Sequence, residues 1–152
     1  MQLVKHTGWV LMLVMALFGK PAGAADEAGT VKTSRGQVAL ERSGQKLGAP
    51  VGTRVFASDR VVTGADGSVG ITLRDNTLLS AGPNSSLSLD KFAFNSTTHA
   101  GAMDTSLKRG TLSVVSGKIA KQSPESVRFS TPTTTLGVRG TEFVIEAAGT
   151  ED

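Results

Sequence analysis

Cysteine is absent from this sequence of 152 residues, so no disulfide bond can stabilise its fold. Aromatic residues are also scarce, with one tryptophan, no tyrosine and six phenylalanines. Nucleic-acid-binding proteins combine basic patches with aromatic side chains that stack on bases, and beyond residue 24 the chain has neither a basic block nor a tryptophan or tyrosine. We therefore expect no nucleic-acid partner, and a fold held together by packing and backbone pairing alone.

Residues suited to catalysis are few. His99 is the only histidine beyond residue 24, and it lies in a polar stretch at 95–105 that we predict to be a loop. A hydrolytic site would need His99 beside a serine and a carboxylate such as Asp104, and the sequence does not bring these groups together. We interpret His99 as a solvated loop residue and expect no catalytic residues and no cofactor. A hydrolase that uses His99 and Asp104 is the enzymatic alternative.

The acidic residues give no sign of a metal site. Their separations match no calcium-binding loop, in which closely spaced Asp and Asn ligands are followed by glycine. Each aspartate instead lies beside a turn or a strand end, where a carboxylate can accept backbone N–H bonds. The aspartates concerned are Asp59, Asp66, Asp75 and Asp90. We predict structural roles in turns for them and no bound metal.

The N-terminal residues have the layout of a signal peptide, with Lys5 before the apolar run 9–18 and small residues at 22–24. The run has about ten residues, whereas a membrane-spanning helix needs roughly 20. We expect residues 1–24 to be removed after Ala24, which predicts a periplasmic or secreted protein with no stable membrane insertion. A retained N-terminal anchor is the alternative. Cleavage would lower the formal charge from +3 to +1, so the basic pI is no sign of a nucleic-acid partner.

Short runs of alternating apolar and polar residues recur along the rest of the chain, and no stretch has the 3.6-residue spacing of an amphipathic helix. The alternating apolar residues include Val38 with Leu40, Val69 with Ile71 and Leu73, Leu87 with Leu89, and Leu112 with Val114. This pattern predicts an all-β fold of short strands and hairpins. Two Arg-Gly-Thr triplets, at 109–111 and 139–141, suggest repeated layers. We therefore favour an elongated, partly solenoidal domain, with a two-sheet β-sandwich as the alternative.

Several residues mark turns between these strands. Asp75-Asn76 separates two alternating runs and predicts a hairpin, because Asn accepts a positive φ more readily than most residues. Pro83-Asn84 predicts a second turn, and Asp59 lies beside a third.

The best-specified segment is TTTLGVRGTEFVIE at 133–146. Gly137 and Gly140 bracket Val138-Arg139, which predicts a sharp bend or a close approach of the backbone to a neighbouring strand. Arg139 then has two interpretations: a clamp that bonds carboxylates or turn carbonyls of the fold, which we favour, and an exposed anchor for a partner.

These residues resemble a FecR-like domain, an extracytoplasmic β-rich module of bacterial signal regulators, from Gly36 to about Ile145. The resemblance is carried by short motifs spread along the chain. They are Val38 and Leu40, Asp59 with Val62-Thr63-Gly64, Gly67, Leu73-Arg74-Asp75, Thr77, Pro83-Asn84-Ser85, Leu87, Leu89, Arg109-Gly110-Thr111, Gly117, Thr131-Pro132, Gly137-Val138-Arg139-Gly140-Thr141 and Phe143. Asn76 departs from the pattern, in which Gly follows Asp75, but Asn can occupy the same turn.

The resemblance implies a fold and a compartment more firmly than it implies signalling. The regulators carry a cytoplasmic segment and a transmembrane helix before the FecR-like domain and a further small domain after it. We expect neither here, because about eight residues precede the apolar run and seven follow Ile145. The expected organisation is a signal peptide at 1–24, a leader and first strand at 25–35 in which 25–29 are loose, a FecR-like domain at 36–147 that the chain's end completes, and a tail at 148–152.

The function implied is that of an exported, non-enzymatic FecR-like binding module. An envelope protein is the preferred partner and a cell-surface polysaccharide the second, because sugar stacking is weakened by the lack of Trp and Tyr. A membrane-anchored sensor or accessory regulator of FecR-type signalling is the main alternative, and self-association through an open strand edge is another. The residues implied for partner binding or for the structural motif are Thr131, Pro132, Gly137, Val138, Arg139, Gly140, Thr141 and Phe143.

The signal-peptide prediction can be tested by the intact mass of the protein from fractionated cells. We expect a species in the periplasmic or secreted fraction that begins at Ala25, because the apolar run is too short for a stable span. A membrane-bound species that retains Met1 would contradict this prediction and favour the anchored sensor.

Overall fold

The computed structural model describes residues 26–149, which form twelve strands, one short helix and one 3-10 turn. The strands are β1 (Glu27–Arg35), β2 (Val38–Arg42), β3 (Gln45–Gly48), β4 (Arg54–Phe56), β5 (Arg60–Thr63), β6 (Ser68–Leu73), β7 (Leu78–Ala81), β8 (Ser86–Phe94), β9 (Gly101–Val115), β10 (Val127–Ser130), β11 (Thr135–Gly137) and β12 (Glu142–Ala147). The helix α1 covers Lys118–Gln122, and the 3-10 turn covers Pro124–Ser126.

All twelve strands join in one strongly curled sheet, a half-barrel, which confirms the predicted all-β class. Along the main path the strand order is β3-β2-β5-β8-β9-β7-β6-β1-β4. The remaining strands branch from this path: β10 pairs with β9 in parallel, β11 pairs with β10, and β12 pairs with β9. No helix within residues 26–149 has the length and apolar composition needed to cross a membrane.

The two halves of the sheet share strand β9. Its first part pairs with β8 and β10, whereas its second part, from Gly110 onward, pairs with β7 and β12. Strand β9 has 15 residues, far more than the five or six of an average strand. It therefore connects two groups of strands that have no other direct pairing on the main path.

Residues that alternate along the strands face one hydrophobic core. In β6, for example, Val69, Ile71 and Leu73 are buried while the residues between them are half-buried. The largest fully buried side chain is Phe129 of β10, and Ile119 of α1 also enters this core. Period-two burial follows from the strand geometry, in which successive side chains point to opposite faces.

The hairpin predicted at Asp75-Asn76 is confirmed. Strands β6 and β7 pair antiparallel, with Ile71 opposite Leu79, and Asn76 has a φ of 68°. Asn tolerates this left-handed conformation because its short polar side chain adds little steric penalty.

Strand β9 changes direction at Gly110, which has a φ of +93°. A Cβ atom at this position would lie 2.1 Å from Ser85 Oγ and 2.5 Å from Ser85 Cα. The Ser85 hydroxyl also accepts the Thr111 N–H at 3.1 Å and so ties the bend to the start of β8. Only glycine fits here, because both the backbone angle and the available space exclude a side chain.

The second Arg-Gly-Thr triplet occupies a different setting. Gly140 lies between β11 and β12, its φ is not in the left-handed region, and a Cβ there would meet no atom of the described residues within 4 Å. The two triplets are therefore not equivalent positions of a structural repeat.

Two segments predicted to be loops are partly strands. The expectation of a loose leader at 25–29 is wrong for residues 27–29, which open β1, and Ala28 is fully buried. Gly29 packs so closely that a Cβ would lie 2.5 Å from the Thr72 carbonyl oxygen. The predicted loop at 95–105 is also shorter than expected, since β9 begins at Gly101. The predicted signal peptide lies outside the described residues, as do residues 150–152 of the predicted tail.

Three glycine substitutions separate the effects of backbone conformation and space. We expect Gly110→Ala to lower the free energy of unfolding by about 2–4 kcal/mol, because it combines a positive φ with a steric clash. Gly44→Ala has the positive φ, 77°, without a close neighbour in the described structure, and should cost about 1 kcal/mol. Gly137→Ala has neither feature and should stay within about 0.5 kcal/mol of the wild type. Urea denaturation measures all three, and equal losses for Gly110 and Gly137 would contradict the role of the bend.

Candidate functional site

Asp59 is buried, and hydrogen bonds around it join three chain segments. Its carboxylate accepts hydrogen bonds from Arg42 Nε and Nη2 at 2.8 and 2.7 Å and from the Phe56 N–H at 2.7 Å. The Arg42 guanidinium also lies over the Phe56 ring, 4.5 Å from its centroid, and donates to the Arg54 carbonyl at 3.0 Å. The hydrogen bond to Asp59 raises the pKa of Arg42 above its ordinary value. Asp59 therefore holds β2 against the β4–β5 turn.

Asp75 has a comparable position at the end of β6. It is fully buried, and its carboxylate accepts bonds from the Thr77 N–H at 3.0 Å, the Thr77 hydroxyl at 2.8 Å and the Ile119 N–H at 3.3 Å. The Asp75 backbone carbonyl accepts the Lys118 N–H at 2.8 Å. These bonds attach α1 to the β6–β7 hairpin, so Asp75 serves the fold.

The other predicted turn residues lie at the surface. Asn76, Pro83 and Asn84 are exposed, and Asn84 has a φ of 52°. The Asn84 N–H donates to the Gly64 carbonyl at 3.0 Å, which joins the turn before β8 to the turn after β5.

The segment from Thr131 to Phe143 is fixed at both ends and exposed between them. At its start the Thr131 N–H donates to the Thr134 carbonyl at 2.8 Å, closing a tight turn that contains Pro132. At its end the Thr141 carbonyl accepts the Ser116 N–H at 2.7 Å, and the Phe143 ring meets Phe129 edge to face at 5.2 Å. Between these ends Val138 is the one residue buried in the core.

For the glycines, one of the two predicted outcomes is found, and for Arg139 the favoured interpretation is wrong. The glycines do not provide a close approach, because a Cβ on Gly137 or Gly140 would meet no described atom within 4 Å, but the backbone does bend at Gly140 and Thr141. Arg139 does not act as an internal clamp, since its exposed side chain makes no ion pair or hydrogen bond with another residue of 26–149. The other interpretation of Arg139, an exposed anchor, stays a prediction.

A polar groove that sequence patterns did not indicate crosses the sheet face opposite the core. Two adjoining cavities, of about 540 and 500 Å³, form it and share Glu41 and Arg60. Seven laterally paired residues run from β3 to β11 along this face, and none of them is apolar. In register order they are Lys46, Glu41, Arg60, Ser88, Ser106, Ser130 and Thr135. We call this surface the sheet-face groove, and Thr131 and Pro132 of the predicted site lie at its rim.

Hydrogen bonds organise the floor of the sheet-face groove. Arg60 contacts Glu41 at 3.7 Å and donates to the Ser88 hydroxyl at 3.4 Å. Ser106 donates to the Asp90 carboxylate and lies 3.1 Å from the Ser130 hydroxyl. The floor therefore carries two linked groups of polar side chains on five neighbouring strands, one around Arg60 and one around Ser106.

Two β-bulges direct charged residues to the sheet-face groove. Ser86 faces Arg109 while Leu87 faces Leu107, so Lys108 is an extra residue in β9. The shift between Leu89 and Lys91 makes Asp90 an extra residue in β8 in the same way. A bulge re-aims side chains and is common beside binding sites. A bulge depends on the register of the partner strand. For the bulge at Lys108, the only signal in the local sequence is Gly110, which follows Arg109.

The family of the chain can be identified from comparison with known proteins. The family model described as FecR protein matches residues 59–152. The match begins at Asp59 in the β4–β5 turn and includes the whole segment from Thr131 to Phe143. The chain belongs to the FecR family, which associates it with signalling at the cell envelope. No curated protein and no solved structure matches it.

The Arg42–Asp59 ion pair predicts that two arginine substitutions differ in their effect on protein stability. We expect Arg42→Ala to lower the free energy of unfolding by about 2–3 kcal/mol, because it leaves a buried carboxylate without its cation. Arg54→Ala is the matched control: its pair with Glu27 spans 3.6 Å and is largely exposed, so the loss should stay below about 1 kcal/mol. Chemical denaturation of both variants measures the difference. An Arg42→Ala protein as stable as the Arg54→Ala protein would show that the Arg42–Asp59 ion pair does not stabilise the fold.

Proposed function

We propose that this FecR-family chain is an exported, non-enzymatic binding module that recognises an envelope protein through the surface formed by residues 132–142. The observation that carries the proposal is the exposure of this segment between two fixed ends. Apart from Val138, every residue from Pro132 to Glu142 is exposed. The fold uses the backbone of β11, which pairs with β10, the carbonyls of Thr134 and Thr141, and the side chain of Val138. The other exposed side chains of the segment, including that of Arg139, are left for another molecule.

The chemistry of this surface suits a protein partner. Within residues 26–149 strand β11 pairs with β10 alone, so its outer edge offers backbone N–H and C=O groups to an added strand. Arg139 supplies five N–H donors that match a carboxylate or backbone carbonyls. Gly137 and Gly140 leave open space in which a partner backbone can approach closely. Because both ends of the segment are anchored, little ordering is needed on binding.

The non-enzymatic part of the proposal has its own support. Among residues 26–149 His99 is the only histidine, and its ring stacks on Phe94, 6.2 Å away, in the turn between β8 and β9. In the sheet-face groove Ser106 donates to Asp90 and is within hydrogen-bond distance of Ser130, and Ser88 accepts from Arg60. This arrangement contains no imidazole to activate a hydroxyl.

The family match favours a second candidate function. A FecR-family protein that kept residues 1–24 as an anchor would act as an envelope sensor or accessory regulator of FecR-type signalling. The surface at 132–142 would serve both functions, so the intact mass described above is what distinguishes them.

Photocrosslinking at position 139 tests the proposed surface. With p-benzoylphenylalanine in place of Arg139, we expect one dominant crosslinked envelope protein, identified by mass spectrometry of the adduct. The same substitution at Lys32, an exposed residue of β1, is the control and should give no such adduct. Arg139→Ala should leave the melting temperature unchanged and abolish co-purification of the identified protein. A lowered melting temperature, or equal adducts from both positions, would overturn the proposal.

A further inference from the structure

One end of the sheet-face groove carries positive charge that the fold does not neutralise. Its lining there includes Arg60, Lys108 and Arg109, with Glu41 as the acidic residue. Glu41 contacts Arg60. Neither Lys108 nor Arg109 forms an ion pair within residues 26–149, and both are exposed. The pair therefore gives this end an excess of two positive charges.

The fold itself holds these two cations beside each other. Because Lys108 is the extra residue of a bulge, it joins Arg109 in facing a single residue, Ser86, on the neighbouring strand. Gly110 follows directly with a left-handed φ of +93°, and the closeness of Ser85 leaves no room for a side chain there. Two like charges on consecutive residues repel each other, so the bulge places them together at an electrostatic cost. A bound anion would remove that cost.

The rest of the groove selects among anionic ligands. Its floor offers hydroxyl groups from Ser86, Ser106, Ser130 and Thr131, which can donate to or accept from backbone amides. Apolar contact comes from Val62 and Pro132. Among the described residues no aromatic ring lines this part of the groove, so a sugar ring would find no stacking surface there.

We infer that the sheet-face groove binds an acidic, extended peptide segment of a partner protein, with carboxylates on Lys108 and Arg109 and backbone amides on the serine floor. The inference rests on the proposed function, since it assumes a protein partner, and it specifies the chemistry of that partner. Thr131 and Pro132 lie at the groove rim, so a bound peptide would run directly into the surface at 132–142.

The opposite end of the groove gives the peptide a direction. Asp90 is the extra residue of the second bulge, and together with Glu41 it balances Lys46 and Arg60 in the adjoining cavity. Carboxylates are therefore attracted to the Lys108–Arg109 end and gain nothing at the Asp90 end. A partner segment with acidic residues at one end and neutral or basic residues at the other fits this distribution.

Fluorescence anisotropy tests the inference with a labelled decapeptide of alternating glutamate and serine. We expect the protein to bind it and to ignore a peptide of alternating lysine and serine. Lys108→Ala and Arg109→Ala should each weaken binding by roughly fivefold. Raising the salt concentration from about 0.1 to 1 M should also weaken it, because the Debye length falls from about 10 to 3 Å.

Lys32→Ala is the matched control, because Lys32 is also an exposed lysine at a bulge, between Val31 and Thr33 of β1. It should bind the acidic peptide as tightly as the wild type, with melting temperatures confirming that all variants fold. If Lys32→Ala weakened peptide binding as much as Lys108→Ala does, the loss would be due to the protein's net charge alone, and the inference would be overturned. Binding of polygalacturonate in place of the peptide would overturn it too, by showing a polysaccharide ligand.

A third outcome concerns the chain's own acidic residues. Glu151 and Asp152 follow shortly after Gly149, which lines the groove. If the acidic peptide bound only after Glu151→Gln and Asp152→Asn, the groove would bind this chain's own residues and not a partner, and the inference would fail.

Crosslinking at position 139 does not depend on Lys108 or Arg109. A failed peptide experiment with a successful crosslink would therefore reject the groove as a binding site and leave the proposed function standing.

Discussion

Pairing along both edges of strand β9 is the interaction on which the rest of the structure depends. The strand holds β8 and β10 with its first part and β7 and β12 with its second part. The pairing passes from the first group to the second at Gly110, whose left-handed φ glycine adopts far more readily than other residues. Through this one strand, a chain without disulfides joins all its strands in a single sheet.

The same constraint positions the two surfaces of functional interest. The bulge at Lys108 and the bend at Gly110 are two residues apart, so the geometry that closes the core also presents two cations on the opposite face. Strand β10 pairs with the first part of β9 and leads into Thr131, whereas β12 pairs with the second part. The segment at 132–142 therefore links strands of the two groups. Within it β11 pairs with β10 and Val138 enters the core, while the other side chains are exposed.

Sequence patterns predicted the features that depend on local chemistry. Val69, Ile71 and Leu73 alternate strictly and Asp75-Asn76 favours a turn, so the β6–β7 hairpin could be derived without its neighbours. Ala28 and Gly29 gave no such signal, since small residues become buried only where another strand comes close, and the leader prediction failed there. The bulges at Lys108 and Asp90 were missed for a related reason: a bulge is a property of two strands in register, and a single sequence shows one strand at a time.

The two Arg-Gly-Thr triplets show why identical residues need not have identical roles. In β9 the glycine is required, because a positive φ and the contact with Ser85 exclude any side chain. Between β11 and β12 the glycine meets nothing in the described structure, and the arginine beside it contacts solvent. The fold therefore explains the glycine of the first triplet but neither the glycine nor the arginine of the second. Ser85, just before β8, packs against Gly110, whereas the space beside Gly140 is open to another molecule.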